Sequence, residues 1–408
     1  MKEKYYKIDR RNFLRTIGAA GLGSVLASTK ALADSNDPNT GGKNLKPKFP
    51  QVPRRTLGKT GVKIPALALG SNAAGYPAVL KTALDWGIDY WDTSLVAGGG
   101  NSELDIGKYL EKNPTIRKKL FLVTKESKSK SDADLEKCLQ TSLEKLKTKY
   151  IDLYIGVYMM SDPAQLTDQV RQWAKNAKER KLIRFFGFST HKNIPQCLLA
   201  AAELDWVDAV MMRYNFRHVH DQETQAALEA CHKAGIGIIA MKTQGKTIET
   251  EEDKKLVAHF LQRGFTEGQA KIKAVLEDKR VSTACVAMNS VALLTSNIAA
   301  VLDKTSLSQM DMDVFREYAQ LTCSGYCAGC ADICDAALSD APYVSDIMRH
   351  LMYYNNYDRP DEARRLFADI PHRVRKKLLT IDYTAAEARC PQHLPIAKLV
   401  AEAVSKLA

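Results

Sequence analysis

Leu120-Phe-Leu-Val-Thr124, Ala133-Asp-Leu-Glu-Lys-Cys-Leu-Gln-Thr-Ser-Leu-Glu-Lys-Leu146 and Ile151-Asp-Leu-Tyr-Ile-Gly-Val157 are the segments on which the fold turns. A short apolar run, an amphipathic run of helical period and a second apolar run make a strand–helix–strand unit. The same order repeats in both directions. Apolar runs at Pro65–Leu69, Tyr90–Asp92, Ile183–Phe188, Ala209–Tyr214, Ile236–Met241 and Thr283–Ala287 bring the strands to eight. Helical patterns such as Val79–Trp86, Pro163–Glu179, Gln222–Ala234 and Ala292–Ala300 lie between them. Eight such units predict an α/β fold, a (β/α)8 TIM barrel over residues 53–305, with its site at the C-terminal ends of the strands. A doubly wound open sheet is the rival, but the GxGxxG loop it would need after the first strand is missing. Gly58-Lys59-Thr60 does not close a phosphate loop, because Pro53 stands where that motif needs glycine.

From about Ser306 the pattern becomes mostly helical. Residues 306–408 are read as a small, helical, cysteine-containing domain appended to the barrel. At the other end, Arg10-Arg11-Asn12-Phe13-Leu14-Arg15 precedes a weakly apolar run and Ala31-Leu32-Ala33, which resembles a peptidase site. Residues 1–33 are therefore expected to be a twin-arginine signal peptide and 34–52 a polar linker. This predicts a periplasmic or otherwise exported protein with no integral membrane segment after cleavage. A route that moves folded chains suits a cofactor inserted before export.

The signal segment carries +5 of the formal net charge of +12, leaving +7 for the rest of the chain. Basic residues there are interspersed with acids, as in Glu251-Glu-Asp-Lys-Lys255, so the surface is ordinary and nothing argues for nucleic acid. Apolar residues make up 45%, enough for a sizeable core. Cys138, Cys197, Cys231 and Cys285 stand alone in amphipathic or apolar surroundings and read as small buried hydrophobes.

The other five cysteines are Cys323-Ser-Gly-Tyr-Cys327-Ala-Gly-Cys330-Ala-Asp-Ile-Cys334 and Cys390-Pro391. In one continuous helix the first four would spread over about 16 Å. Gly325 and Gly329 argue against such a helix and let the backbone fold around a metal centre. An iron–sulfur cluster, a zinc ion and disulfides are all open to these cysteines.

The barrel segments resemble the aldo/keto reductases. The matching stretches include Arg55-Thr-Leu-Gly-Lys-Thr-Gly-Val-Lys-Ile-Pro-Ala-Leu-Ala-Leu-Gly70, Gly87-Ile-Asp-Tyr-Trp-Asp92, Leu122-Val-Thr-Lys125, Tyr150-Ile-Asp-Leu-Tyr154, Ile183-Arg-Phe-Phe-Gly-Phe-Ser189 and Gly235-Ile-Gly-Ile-Ile-Ala-Met241. The resemblance implies carbonyl reduction of a small-molecule substrate with NADP(H). The proton would come from a tyrosine assisted by Lys, Asp and His. Asp92 and Lys125 match that set. The tyrosine's place is Ala97 and the histidine's is Val157, so the tetrad reads as incomplete and ordinary NADPH reduction as doubtful. Tyr158 follows Val157, but strand alternation would turn it away from the barrel interior. Of the family's cofactor contacts, Ser189 and Asn297 remain, while Met211 replaces a glutamine. Met288-Asn289-Ser290 offers no cation for a 2′-phosphate.

The tail resembles half of a bacterial ferredoxin, with one residue inserted after the first cysteine and Asp335 in place of the proline. That resemblance implies one [4Fe–4S] cluster on Cys323, Cys327, Cys330 and Cys390, with Cys334 left over, and a redox partner protein. The expectation is thus an exported aldo/keto-reductase-like oxidoreductase carrying a cluster. Its rival is a non-catalytic barrel that binds a ligand or partner, with zinc or disulfides bracing the tail.

Overall fold

The computed structural model describes residues 49–126, 131–244, 250–339, 343–357 and 359–408. The expected signal segment and nearly all of the expected linker lie outside them. Two short strands, β1 (Arg54–Thr56) and β2 (Lys63–Pro65), pair antiparallel in a hairpin. Eight parallel strands follow and close a barrel: β3 (Leu67–Leu69), β4 (Tyr90–Asp92), β5 (Phe121–Lys125), β6 (Ile151–Met160), β7 (Ile183–Thr190), β8 (Ala209–Arg213), β9 (Gly237–Met241) and β10 (Val281–Val286). Neighbours in the chain are neighbours in the barrel, and β10 closes on β3. The sequence expectation of a (β/α)8 barrel with an added helical region is met.

Period-two alternation divides the strand residues between two layers. Tyr90, Phe121, Val123, Leu153, Ile155 and Ile239 fill the interior. Trp91, Leu122, Tyr154, Phe186, Val210 and Ile238 pack outward against the helices. Asp92 and Lys125 end β4 and β5 on the inward-facing phase, at the rim where loops build sites in this fold.

β6 breaks the pattern. Its pairing with β7 runs Ile155 to Gly187, Val157 to Phe188 and Met160 to Thr190, so β6 holds extra residues in both intervals. That is a β-bulge, which re-aims the side chains beyond it. Val157 consequently packs in the outer layer beside Phe188. Met159 takes a left-handed φ of 59°. The freed amides find partners: Tyr158 N–H donates to Glu126 Oε1 at 3.0 Å and Met159 N–H to Ser189 Oγ at 3.0 Å. Gly156 permits the bend, because a Cβ there would lie 2.2 Å from the Phe186 ring.

The helix Gln309–Leu321 packs on the barrel through Phe315, which stacks on Phe216 and lies tilted against Phe260, with ring centroids 4.8 and 4.6 Å away. Beyond it the tail builds its own core from Ile347, Leu351, Phe367, Leu378, Ile396 and Val400. No helix among the described residues is long and apolar enough to cross a membrane.

Candidate active site

A cavity of about 610 Å³ opens at the barrel mouth, and Asp92, Lys125, Tyr158 and His191 all line it. Lys125 Nζ donates to Asp92 Oδ1 at 2.5 Å and to the Thr93 carbonyl at 2.8 Å. Both side chains of this ion pair are 7% exposed. Burial pushes the Asp92 carboxyl up, and the Lys125 charge opposes it. A buried charge without its partner is costly, so each holds the other in place.

Tyr158 belongs to this cavity, contrary to the sequence expectation. Alternation along β6 sends it outward only if the strand is regular, and the bulge shifts the phase. Burial raises the phenol's pKa far above its usual value, so it keeps its proton throughout the working range. His191, just beyond β7, is 6% exposed. Burial first, then Arg349, Lys242, Arg213 and Lys125, hold its pKa well below the ordinary value, so the ring is neutral. Neither ring nitrogen has a hydrogen-bond partner among the described residues. A neutral imidazole of this kind can donate one hydrogen bond and accept another. Positions 97 and 157 are indeed Ala and Val, yet a tyrosine and a histidine reach the cavity from other positions. The local signal was Gly156, since a glycine inside a strand pattern marks a possible bulge.

The two expected cofactor contacts fare differently. Ser189 lines the cavity, although its hydroxyl already accepts the Met159 N–H. Asn297 lies on the helix Val291–Leu302, 1% exposed, and does not line the cavity. Its Oδ1 accepts from Gln244 Nε2 at 3.0 Å, while its Nδ2 is buried without a partner among the described residues. Asn289 lines the cavity beyond β10, and no Arg or Lys stands beside it in Met288–Ser290. The tail contributes to the walls. Tyr353 and Tyr357 close over Lys242, whose Nζ lies 4.3 and 4.6 Å from their ring centroids.

The tail cysteines form a second constellation. Cys327, Cys330, Cys334 and Cys390 line one small gap closed by Ile333, Val344 and Leu394. Cys323 does not line it. It opens a one-turn 3-10 helix, Cys323–Gly325, directly after the helix on the barrel side. Cys334 instead ends the short helix Ala331–Cys334, where i,i+4 spacing brings its Sγ to 3.8 Å from the Cys330 carbonyl. Of the four cysteines expected together, Cys327, Cys330 and Cys390 meet at this gap, and Cys334 joins them there. Burial pushes up the thiols of Cys327, Cys334 and Cys330, the last to about 11. No disulfide joins the five tail cysteines in this structure. Cys197, Cys231 and Cys285 are buried as expected, and Cys285 also faces the barrel-mouth cavity.

This cysteine loop sits on the ends of β7 and β8. Arg213 Nη1 donates to the Cys327 carbonyl at 2.8 Å, and Asn193 N–H donates to the Gly329 carbonyl at 3.0 Å. Asn215 Nδ2 donates to the Tyr326 hydroxyl at 3.2 Å. His191 and Arg213 thus stand between the two constellations.

The Aldo/keto reductase family profile matches residues 69–312, more than half of the chain. The chain belongs to the aldo/keto reductase family. It is similar to L-galactose dehydrogenase of Arabidopsis thaliana, 25% identical over 299 residues that cover 65% of this chain and 93% of that one. It is also similar to the NADP(+)-designated aldo-keto reductase yakc of Schizosaccharomyces pombe, 28% identical over 217 residues, 48% of this chain and 62% of that one. Among solved structures, the thermostable aldo-keto reductase Tm1743 superposes with a TM-score of 0.55 at 25% identity, covering 65% of this chain and all of that one. Aldo-keto reductase AKR11C1 of Bacillus halodurans, at 19% identity and a TM-score of 0.54, shares the fold over 66% of this chain and 96% of that one. Family membership makes this chain an aldo/keto-reductase-like oxidoreductase. The cysteine loop lies beyond the residues the family profile matches.

Proposed function

We propose that this protein interconverts a carbonyl and an alcohol in the barrel-mouth cavity, with Tyr158 as proton donor. The observation that carries this reading is the β6 bulge, which brings a protonated phenol into the cavity of the Asp92–Lys125 pair. In the reducing direction the phenolic proton passes to the substrate oxygen as the C–H bond forms at the carbon. His191, neutral, offers a hydrogen bond to the same oxygen, and the Lys125 ammonium favours the charge developing there. A nicotinamide dinucleotide supplies the hydride when bound, and the residues after β10 offer no cation for a 2′-phosphate. Ser189 and Asn289 line the wall, whereas no cation follows β10 and Asn297 is turned into the protein. NADH should therefore serve at least as well as NADPH.

The same proposal assigns one [4Fe–4S] cluster to Cys327, Cys330, Cys334 and Cys390. Four sulfurs around one buried gap are a suitable donor set. Zinc at about 2.3 Å from each sulfur would need the thiolates about 3.8 Å apart. The cluster would supply single-electron transfer, which suits a redox partner protein. Export by the twin-arginine route, after cluster insertion, is part of this reading.

Two measurements on anaerobically purified full-length protein test it. Iron and acid-labile sulfide should be present at four each per chain, with visible absorption that dithionite bleaches. A panel of aldehydes should be reduced at the expense of NADH. Iron-free protein refutes the cluster, zinc in its place redirects the ligand assignment, and failure to bind or oxidise any nicotinamide refutes the barrel chemistry.

A further inference from the structure

Arg213 ends β8 and is 4% exposed. Its guanidinium donates to two main-chain carbonyls of the cysteine loop, Cys327 at 2.8 Å and Ala328. Its Nε has no partner, and it forms no ion pair among the described residues. The loop closes on it without slack. Gly329 has a φ of +82°, and a Cβ there would lie 2.5 Å from both Arg213 Nη2 and the His191 carbonyl. The neighbouring charged groups are engaged elsewhere. Arg217 donates to the Ala319 carbonyl and the Thr322 hydroxyl, and Lys242 faces two tyrosines. Asp346 is already shared by Lys192 and Arg349.

A buried guanidinium without a carboxylate is costly unless another anion compensates it. Four thiolates on an iron–sulfur core are such an anion, and the guanidinium rests on the main chain that carries two of them. We propose that Arg213 is the barrel's counter-charge to the tail cluster and sets its reduction potential. This rests on the cluster assignment above. A fixed positive charge favours the more negative, reduced core, so it raises the potential. Arg213 is a positioning residue, acting through the loop it holds.

The test is a redox titration, followed by electron paramagnetic resonance, of full-length protein purified without oxygen. R213Q and R213M should lower the potential by the equivalent of at least tenfold in the one-electron equilibrium, about 59 mV. R213K, which keeps the charge, should stay much closer to wild type. Neutral variants that carry wild-type iron at an unchanged potential overturn the proposal. If neither neutral variant retains its cluster, G329A takes their place, because it leaves the charge while its added Cβ, 2.5 Å from Arg213 Nη2 and from the His191 carbonyl, parts the loop from the end of the barrel. A lowered potential in G329A supports the role of Arg213, and an unchanged one contradicts it. Wild-type protein without iron overturns this inference together with the cluster assignment, whereas iron at wild-type content with no shift overturns this inference alone.

Discussion

β5 and β6 run side by side to the same rim, and only β5 keeps its period to the end. Phe121, Val123 and Lys125 alternate inward without interruption, so Lys125 arrives where the residue pattern puts it. On β6 the phase holds through Leu153 and Ile155 and then slips at the bulge. Val157, expected inside, joins the outer layer, and Tyr158, expected outside, lines the cavity. Side-chain direction in a strand is thus a local inheritance, valid until the first extra residue. An active site at the end of a strand is where such an error matters most.

A second contrast separates the barrel from the tail. Many weak regularities specify the barrel, and no single residue decides it. The cysteine centre depends on which four of five sulfurs meet, so one substitution there should have the largest effect. Cys334→Ser should abolish stable cluster binding and bleach the protein, whereas Cys323→Ser should keep iron and colour. The reverse outcome restores the set first expected from the ferredoxin resemblance.

Within the barrel the regular strand offers the next test. Lys125→Met leaves Asp92 buried without its partner and should cost about 3–5 kcal/mol in chemical denaturation. A loss under 1 kcal/mol would mean that the pair is weakly coupled to the fold. The irregular strand offers a smaller one. Ser189→Ala removes the acceptor of the Met159 N–H and should cost about 1–3 kcal/mol. Turnover should fall further than stability alone explains, as the bulge relaxes and Tyr158 loses its place.

The joint between barrel and tail gives the smallest effect. Asp311 caps the helix Gln309–Leu321 in a capping box with Ser308 and takes His259 and Arg263 from the barrel side. Burial alone would raise its pKa, but the bonds from Ser308, His259 and Arg263 bring it down to about 2. A carboxyl with a depressed folded pKa stabilises above its unfolded value, and that contribution is lost as pH falls from about 4 towards 2. Asp311→Ala should cost about 1 kcal/mol at neutral pH. It should also flatten the acid limb of the stability profile measured by denaturation at stepped pH.

Most of the barrel could be read from residues because strands and helices each carry their own period, and the Asp92–Lys125 pair could be placed because both strands remain regular up to it. Tyr158 and His191 were missed for different reasons. A bulge is signalled only weakly, here by Gly156, and His191 owes its role to loops and tail helices that meet far apart in sequence. Cysteine spacing did not tell which sulfurs meet: Cys334 lines the gap with Cys327, Cys330 and Cys390, and Cys323 does not. The loop's path is set by packing against the ends of β7 and β8, through Arg213 and Asn193. Asn297 matches the family's position but lies buried against Gln244, off the cavity wall.

In the proposed reaction the bulge delivers the proton donor. Steady-state aldehyde reduction by Tyr158→Phe, beside wild type of equal thermal midpoint and iron content, tests it most directly. The expected result is a fall in kcat of about 10²–10⁴-fold with little change in dinucleotide affinity. A phenylalanine variant that turns over at the wild-type rate would contradict it.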